Sequence, residues 1–169
     1  MRLDSLEDLF ALELKDLYSA ERQIIDALPR MADAARHPEL RSALQEHVDV
    51  TREQVQRLER ISDDLGIDLR GHKCKGMEGL IRQGREIIEE EGDPDVRDAG
   101  LIGQAQRVEH YEIAGYGTAR TYAERLGFTE AARMLQRTLD EEGDTDQRLT
   151  DLAERVVNPD AQQAGGLEA

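Results

Sequence analysis

The segment VRDAGLIGQAQRVEHYEIAGYGTARTYAERLG, residues 96–127, decides how the chain folds. It contains no proline and no strand-like alternation, and its apolar residues recur every three or four positions: Leu101, Ala105, Val108, Tyr116, Ala119, Ala123 and Leu126. That spacing predicts one long amphipathic helix from about Val96 to Leu126. Gly92-Asp93-Pro94 marks its start and Gly127 its stop. Two acids one turn apart, Glu109 and Glu112, fall on the face that ought to be apolar.

Working outward, the same periodicity predicts three more long helices. After Gly127, Thr129 is placed to cap a helix over about 130–157, with Ala131, Leu135, Leu149, Leu152 and Val156 inward. The tight connection, residues 127–129, makes these two helices antiparallel neighbours. Toward the N-terminus, one helix covers about Leu6–Ala35, capped by Asp4 or Ser5 and bent or interrupted at Pro29. Another begins at Pro38 and ends near Gly66, again after a very short turn. The connector 67–95 holds a shorter amphipathic stretch, Met77 to Glu91, with Leu80, Ile81, Ile87 and Ile88. Two tight hairpins joined by a long crossover give an all-α, ferritin-like four-helix bundle with a short fifth helix. The bundle domain is expected over residues 1–158, and 159–169, ending QQAGGLEA, as a flexible tail.

Composition limits the function. The 169 residues hold 22 Lys plus Arg against 37 Asp plus Glu, a formal charge of −15, which disfavours nucleic acid and anionic membrane as partners. Four Tyr, two Phe and no Trp leave little material for stacking on bases. A single cysteine, Cys74, excludes an internal disulfide and a multi-cysteine metal site. No stretch reads as a signal peptide or a membrane span, so a cytoplasmic protein is expected.

Polar residues sit on all four predicted inward stripes: Glu21 on the first, His47 on the second, Glu109 and Glu112 on the third, Glu142 and Asp146 on the fourth. With the second hairpin's turn centred near residue 127, Glu112 comes level with Glu142 and Glu109 with Asp146. Facing carboxylates in a low-dielectric interior need protons or cations, and carboxylates joined by imidazole suit iron or manganese. The first hairpin is less regular, since His47 falls roughly one turn, about 6–7 Å, from the level of Glu21. Plainer readings stand beside these. With so many acids, some fall inward by chance, and a lone inward histidine also serves as a hydrogen-bonded core residue. Tyr116 reads as packing or as a donor to a ligand. His72 and Cys74, in GHKCKG, read as structural or as reactive toward metal or peroxide.

The blocks LKDLYSAERQI (14–24), KCKGMEGLI (73–81), residues 96–127 and TLDEEGDTDQRLTDLA (138–153) resemble the YciE/YciF stress-protein family, within the ferritin-like superfamily and related to rubrerythrins. The resemblance covers about residues 4–157 and implies a homodimeric bundle with a dinuclear metal centre, associated with bacterial stress. It supports Glu21, Glu109, Glu112, Glu142 and Asp146 as ligands, with His47 from the second helix. Two departures accompany it. The usual Glu-x-x-His pair is absent from the second and fourth helices, and Val50 stands where relatives often carry an acid. These departures leave a mononuclear or asymmetric site open beside the dinuclear one. The expected function is an iron or manganese protein, dinuclear in the first reading, reacting with peroxide or oxygen; the alternative is a helical structural protein with a vestigial site.

Overall fold

The computed structural model describes residues 3–164, and every regular element among them is helical. Helix α1 runs Leu6–Ala34, α2 Pro38–Leu65, α3 Lys75–Glu89, α4 Pro94–Leu126 and α5 Thr129–Leu152. A π-helical turn, Ala153–Val157, leads into α6, Asn158–Ala164. Helices α1, α2, α4 and α5 form the ring of a four-helix bundle, and α3 lies across α1 and α4.

Cross-bundle contacts set the directions. Asp98, near the start of α4, receives hydrogen bonds from the Arg36 and His37 amides in the α1–α2 turn, at 2.9 and 2.6 Å. At the opposite end Phe10 packs on Phe128. Helix α4 is therefore antiparallel to α1. Gln54 reaches Glu142, and Glu46 reaches Arg148, so α2 and α5 are antiparallel as well. This is the ferritin-like arrangement that the two short turns and one long crossover required.

Local chemistry fixes the helix ends. Ser5 and Asp8 form a reciprocal capping box. Gly127, at φ 77°, closes α4 by a left-handed turn in which the Phe128 amide returns to the Ala123 carbonyl at 2.9 Å.

Several expected boundaries differ. Pro29 does not interrupt α1; it is exposed, so the carbonyl it leaves without a helical donor can be hydrated. Phe128 occupies the N-cap position of α5, and Thr129 is its first residue. The last helix does not run unbroken to 157. Pro159 brings no amide and would crowd the carbonyl four residues back, and the chain widens into a π turn just before it. Residues 159–164, placed in a flexible tail by the sequence, continue with Asn158 as α6 alongside α4. The rest of that expected tail, 165–169, lies outside the described residues.

The core has two apolar parts. Ile24, Leu28, Leu40, Leu101, Leu149 and Leu152 belong to one. Phe10, Leu14, Leu58, Ile61, Ala119 and Leu135 belong to the other. Between them lies a polar layer.

Candidate metal centre

Each long helix sends polar side chains into that layer: Glu21 from α1, His47, Thr51 and Gln54 from α2, Glu109 and Glu112 from α4, and Glu142 from α5. Glu21, Glu112 and Glu142 are 0% exposed, Glu109 1% and His47 6%. One ligand atom each from His47, Glu109, Glu112 and Glu142 lies within 4.8 Å of the others, a group that could hold a metal ion. Glu21 adjoins it. The Tyr116 hydroxyl donates to its Oε1, and its carboxyl lies beside that of Glu112.

The offset of His47 has a geometric outcome. Rather than meeting Glu21, His47 faces Glu109 across the bundle, Nε2 to Oε1 at 3.4 Å. Two turns further along α2, Gln54 Nε2 donates to Glu142 Oε1 at 2.5 Å. The cluster is thus elongated along the bundle axis, with His47 and Glu109 toward one end and Glu21, Gln54 and Tyr116 toward the other.

Asp146 does not join this cluster. It is half-buried, accepting from Gln106 Nε2 at 3.1 Å with His110 Nε2 at 3.4 Å. Glu142 takes the place beside Glu109 expected for Asp146, with a carboxyl oxygen of each within 4.8 Å of the other. The four residues from Glu142 to Asp146, just over one turn, carry the side chain about 40° around the axis, enough to swing Asp146 toward flanking polar groups. Gln54 and Arg57 escaped sequence reading. Gln54 continues the inward series His47, Thr51, Leu58, and that spacing was its signal. Arg57 clasps Glu141 through both terminal nitrogens, at 2.7 and 2.8 Å, and donates to Thr138 at 2.6 Å. It makes no hydrogen bond to the central acids.

Burial dominates the electrostatics. Desolvation, then repulsion from neighbouring carboxylates, drives Glu21, Glu109 and Glu112 well above the ordinary carboxyl range. Desolvation raises Glu142 to about 7, against the opposing pull of its pairing with Glu109 and of Gln54. His47 is lowered to about 4 by burial, so its imidazole is neutral near pH 7 with a lone pair free to coordinate.

Donors are scarce. Glu21 Oε2, both nitrogens of His47, Glu109 Oε2, both oxygens of Glu112 and Glu142 Oε2 have no hydrogen-bond partner despite being buried. Seven unpaired polar atoms converging in a core are far more than native packing tolerates without a further partner. Four carboxyls and one imidazole, with every unpaired atom except a protonated ring nitrogen able to accept, fit a divalent cation of the iron or manganese type.

Fold and site together define a ferritin-like helical bundle with a buried carboxylate–imidazole cluster able to hold metal. The chain belongs to the DUF892 family, a domain of unknown function whose model matches residues 5–162. It is 44% identical to Protein YciF of Escherichia coli K12 over 163 residues, 96% of this chain and 98% of that one. The crystal structure of the E. coli stress protein YciF superposes with a TM-score of 0.89, covering 92% of this chain and 99% of that chain. YcfI of Rhodopseudomonas palustris, for which a structural role has been suggested, is 39% identical with a TM-score of 0.84, covering 87% of this chain and 94% of that one. A Xanthomonas campestris protein at 21% identity shares the fold, with a TM-score of 0.76 over 96% of this chain and 99% of that one.

Proposed function

We propose that the chain is a dinuclear iron or manganese protein of the bacterial stress response that reacts with peroxide or oxygen. The carrying observation is the set of buried, unpaired oxygen and nitrogen atoms on Glu21, His47, Glu109, Glu112 and Glu142. Iron or manganese bound there supplies one-electron redox change that none of these side chains offers. The carboxylates balance the cation charge, Tyr116 and Gln54 fix the orientation of Glu21 and Glu142, and the flanking apolar layers exclude bulk water. The similarity to a protein named for stress supports the physiological side. We place the protein in the cytoplasm as a homodimer.

Elemental analysis after purification without chelator is expected to find iron or manganese. Glu112→Ala and Glu142→Ala are expected to lose it, and full occupancy in both variants overturns the assignment. A second reading, a structural protein with a vestigial site, draws on Val50 and on the role suggested for the R. palustris relative. It predicts a melting temperature unmoved by EDTA and no metal-dependent consumption of peroxide.

A further inference from the structure

Two cavities reach Glu109 from opposite flanks of the bundle. One, between α1, α3 and α4, is about 30 Å³ and lined by side chains such as Ile24, Leu28, Leu80 and Val108. The other, between α2, α4 and α5, is about 100 Å³, well above the roughly 10–15 Å³ that one water molecule needs. Its walls are Ala43, Leu44, Val50, Ala105, Thr145 and Leu149, and both His47 and Glu109 line it. Those two residues bring buried, unpaired atoms to it: both imidazole nitrogens and Glu109 Oε2. Glu46 and Arg148 also line it, joined by an ion pair of 2.7 Å between two side chains more than half exposed.

We infer that this α2–α4–α5 cavity is the passage by which a small uncharged oxidant, dioxygen or hydrogen peroxide, reaches the centre. The inference rests on the metal-centre reading above and adds the route and the charge class of the oxidant. Between the outer pair and the ligands the walls are alanine, leucine and valine, with the Thr145 hydroxyl already donated to the Glu141 carbonyl at 3.0 Å; they admit a neutral molecule of two heavy atoms but oppose an ion, which would shed its hydration there without a partner. The size of Val50 matters directly, because it leaves open the space one turn beyond His47. The Glu46–Arg148 pair closes the outer end. An exposed pair of this kind is weak and its side chains reorient rapidly, so it yields to a small molecule.

The test has a metal-free arm and a kinetic arm. Crystals of the apo-protein under xenon are expected to show xenon between Val50, Leu149 and Ala105. Xenon found only in the α1–α3–α4 cavity overturns the inference. In the second arm, protein loaded with Fe²⁺ is mixed separately with dioxygen and with hydrogen peroxide. Ala43→Phe on α2 and Thr145→Leu on α5 fill the passage from opposite walls and replace no ligand. They are expected to slow iron oxidation at least tenfold with iron content unchanged, whereas Ala27→Phe, in the other cavity, leaves the rate as it was. Arg148→Ala opens the outer end and is expected to raise the rate severalfold. The oxidant slowed by the fillings is the one that uses the passage; unchanged rates for both oxidants at full iron content overturn the inference. Should wild-type protein take up no iron, the metal-centre reading fails, while the xenon arm still reports on the cavity.

Discussion

At the scale of a residue, the acids of the central layer work against the apo-protein. A carboxyl buried beside others is tolerable only protonated or beneath a cation, and Glu142 is raised to about 7. Glu142→Gln keeps its shape and removes the ionisation. In EDTA at about pH 8 this variant is expected to be more stable than wild type by on the order of 1–3 kcal/mol, while metal uptake is lost. Urea titration and elemental analysis read the two effects, and a destabilised apo-variant contradicts the account. Helical periodicity made Glu21, Glu109, Glu112 and Glu142 legible as inward acids, because 100° per residue fixes which face each occupies. It did not show that Asp146 would be drawn aside, since that depends on the Gln106 amide, which donates to it, and the neighbouring His110 ring, which only the packed bundle brings close. Gln54 lies on the same inward face of α2, but only the packed bundle brings its amide to Glu142.

At the scale of an element, Asp98 shows how an inward acid can be satisfied without metal. Its two oxygens take the Arg36 and His37 amides and so fasten the α1–α2 turn to the start of α4. Asp98→Ala removes two charge-assisted bonds and is expected to cost about 2–3 kcal/mol in denaturant titration, with metal affinity little changed. Helix α3 is seated equally closely. A methyl group at Gly76 would lie 2.7 Å from Tyr111 Cε2, and the Tyr111 hydroxyl is held by Asp16 at 2.7 Å, so the ring cannot move without losing that bond. Gly76→Ala is expected to lower stability by about 1–2 kcal/mol although alanine is the better helix former, as overpacking outweighs propensity. Thermal melts decide the sign. Pro38, Gly66 and Gly127 made the long helices legible because each fixes a backbone state at a boundary. The π turn and α6 were not legible. The polar, glycine-containing end after Asn158 reads as loose, whereas a widened turn lets the chain carry on along α4.

At the scale of the molecule, the layer of acids divides the core and couples stability to pH. Glu142 is held above its ordinary value near 4.5, so its contribution is fully present below that pH and is lost as the pH rises through about 7. Glu21, Glu109 and Glu112 are shifted in the same direction. His47 has the opposite sign. Held near 4 against 6.5, it contributes above 6.5 and loses that contribution as the pH falls toward 4. Four carboxyls outweigh one imidazole, so the apo-protein is expected to lose stability as pH rises from about 5 to 8. Bound metal reverses the trend, because coordination replaces the protons that the acids must release. At a hundredfold excess over Kd, Mn²⁺ adds about 3 kcal/mol, on the order of 6–12 °C in Tm for a chain of this size. That increment is expected to grow with pH and to vanish in Glu112→Ala. Calorimetric melts at several pH values, with EDTA and with Mn²⁺, make the comparison. A Tm gain independent of pH, or one retained in Glu112→Ala, would place the bound ion on the acidic surface rather than between the helices.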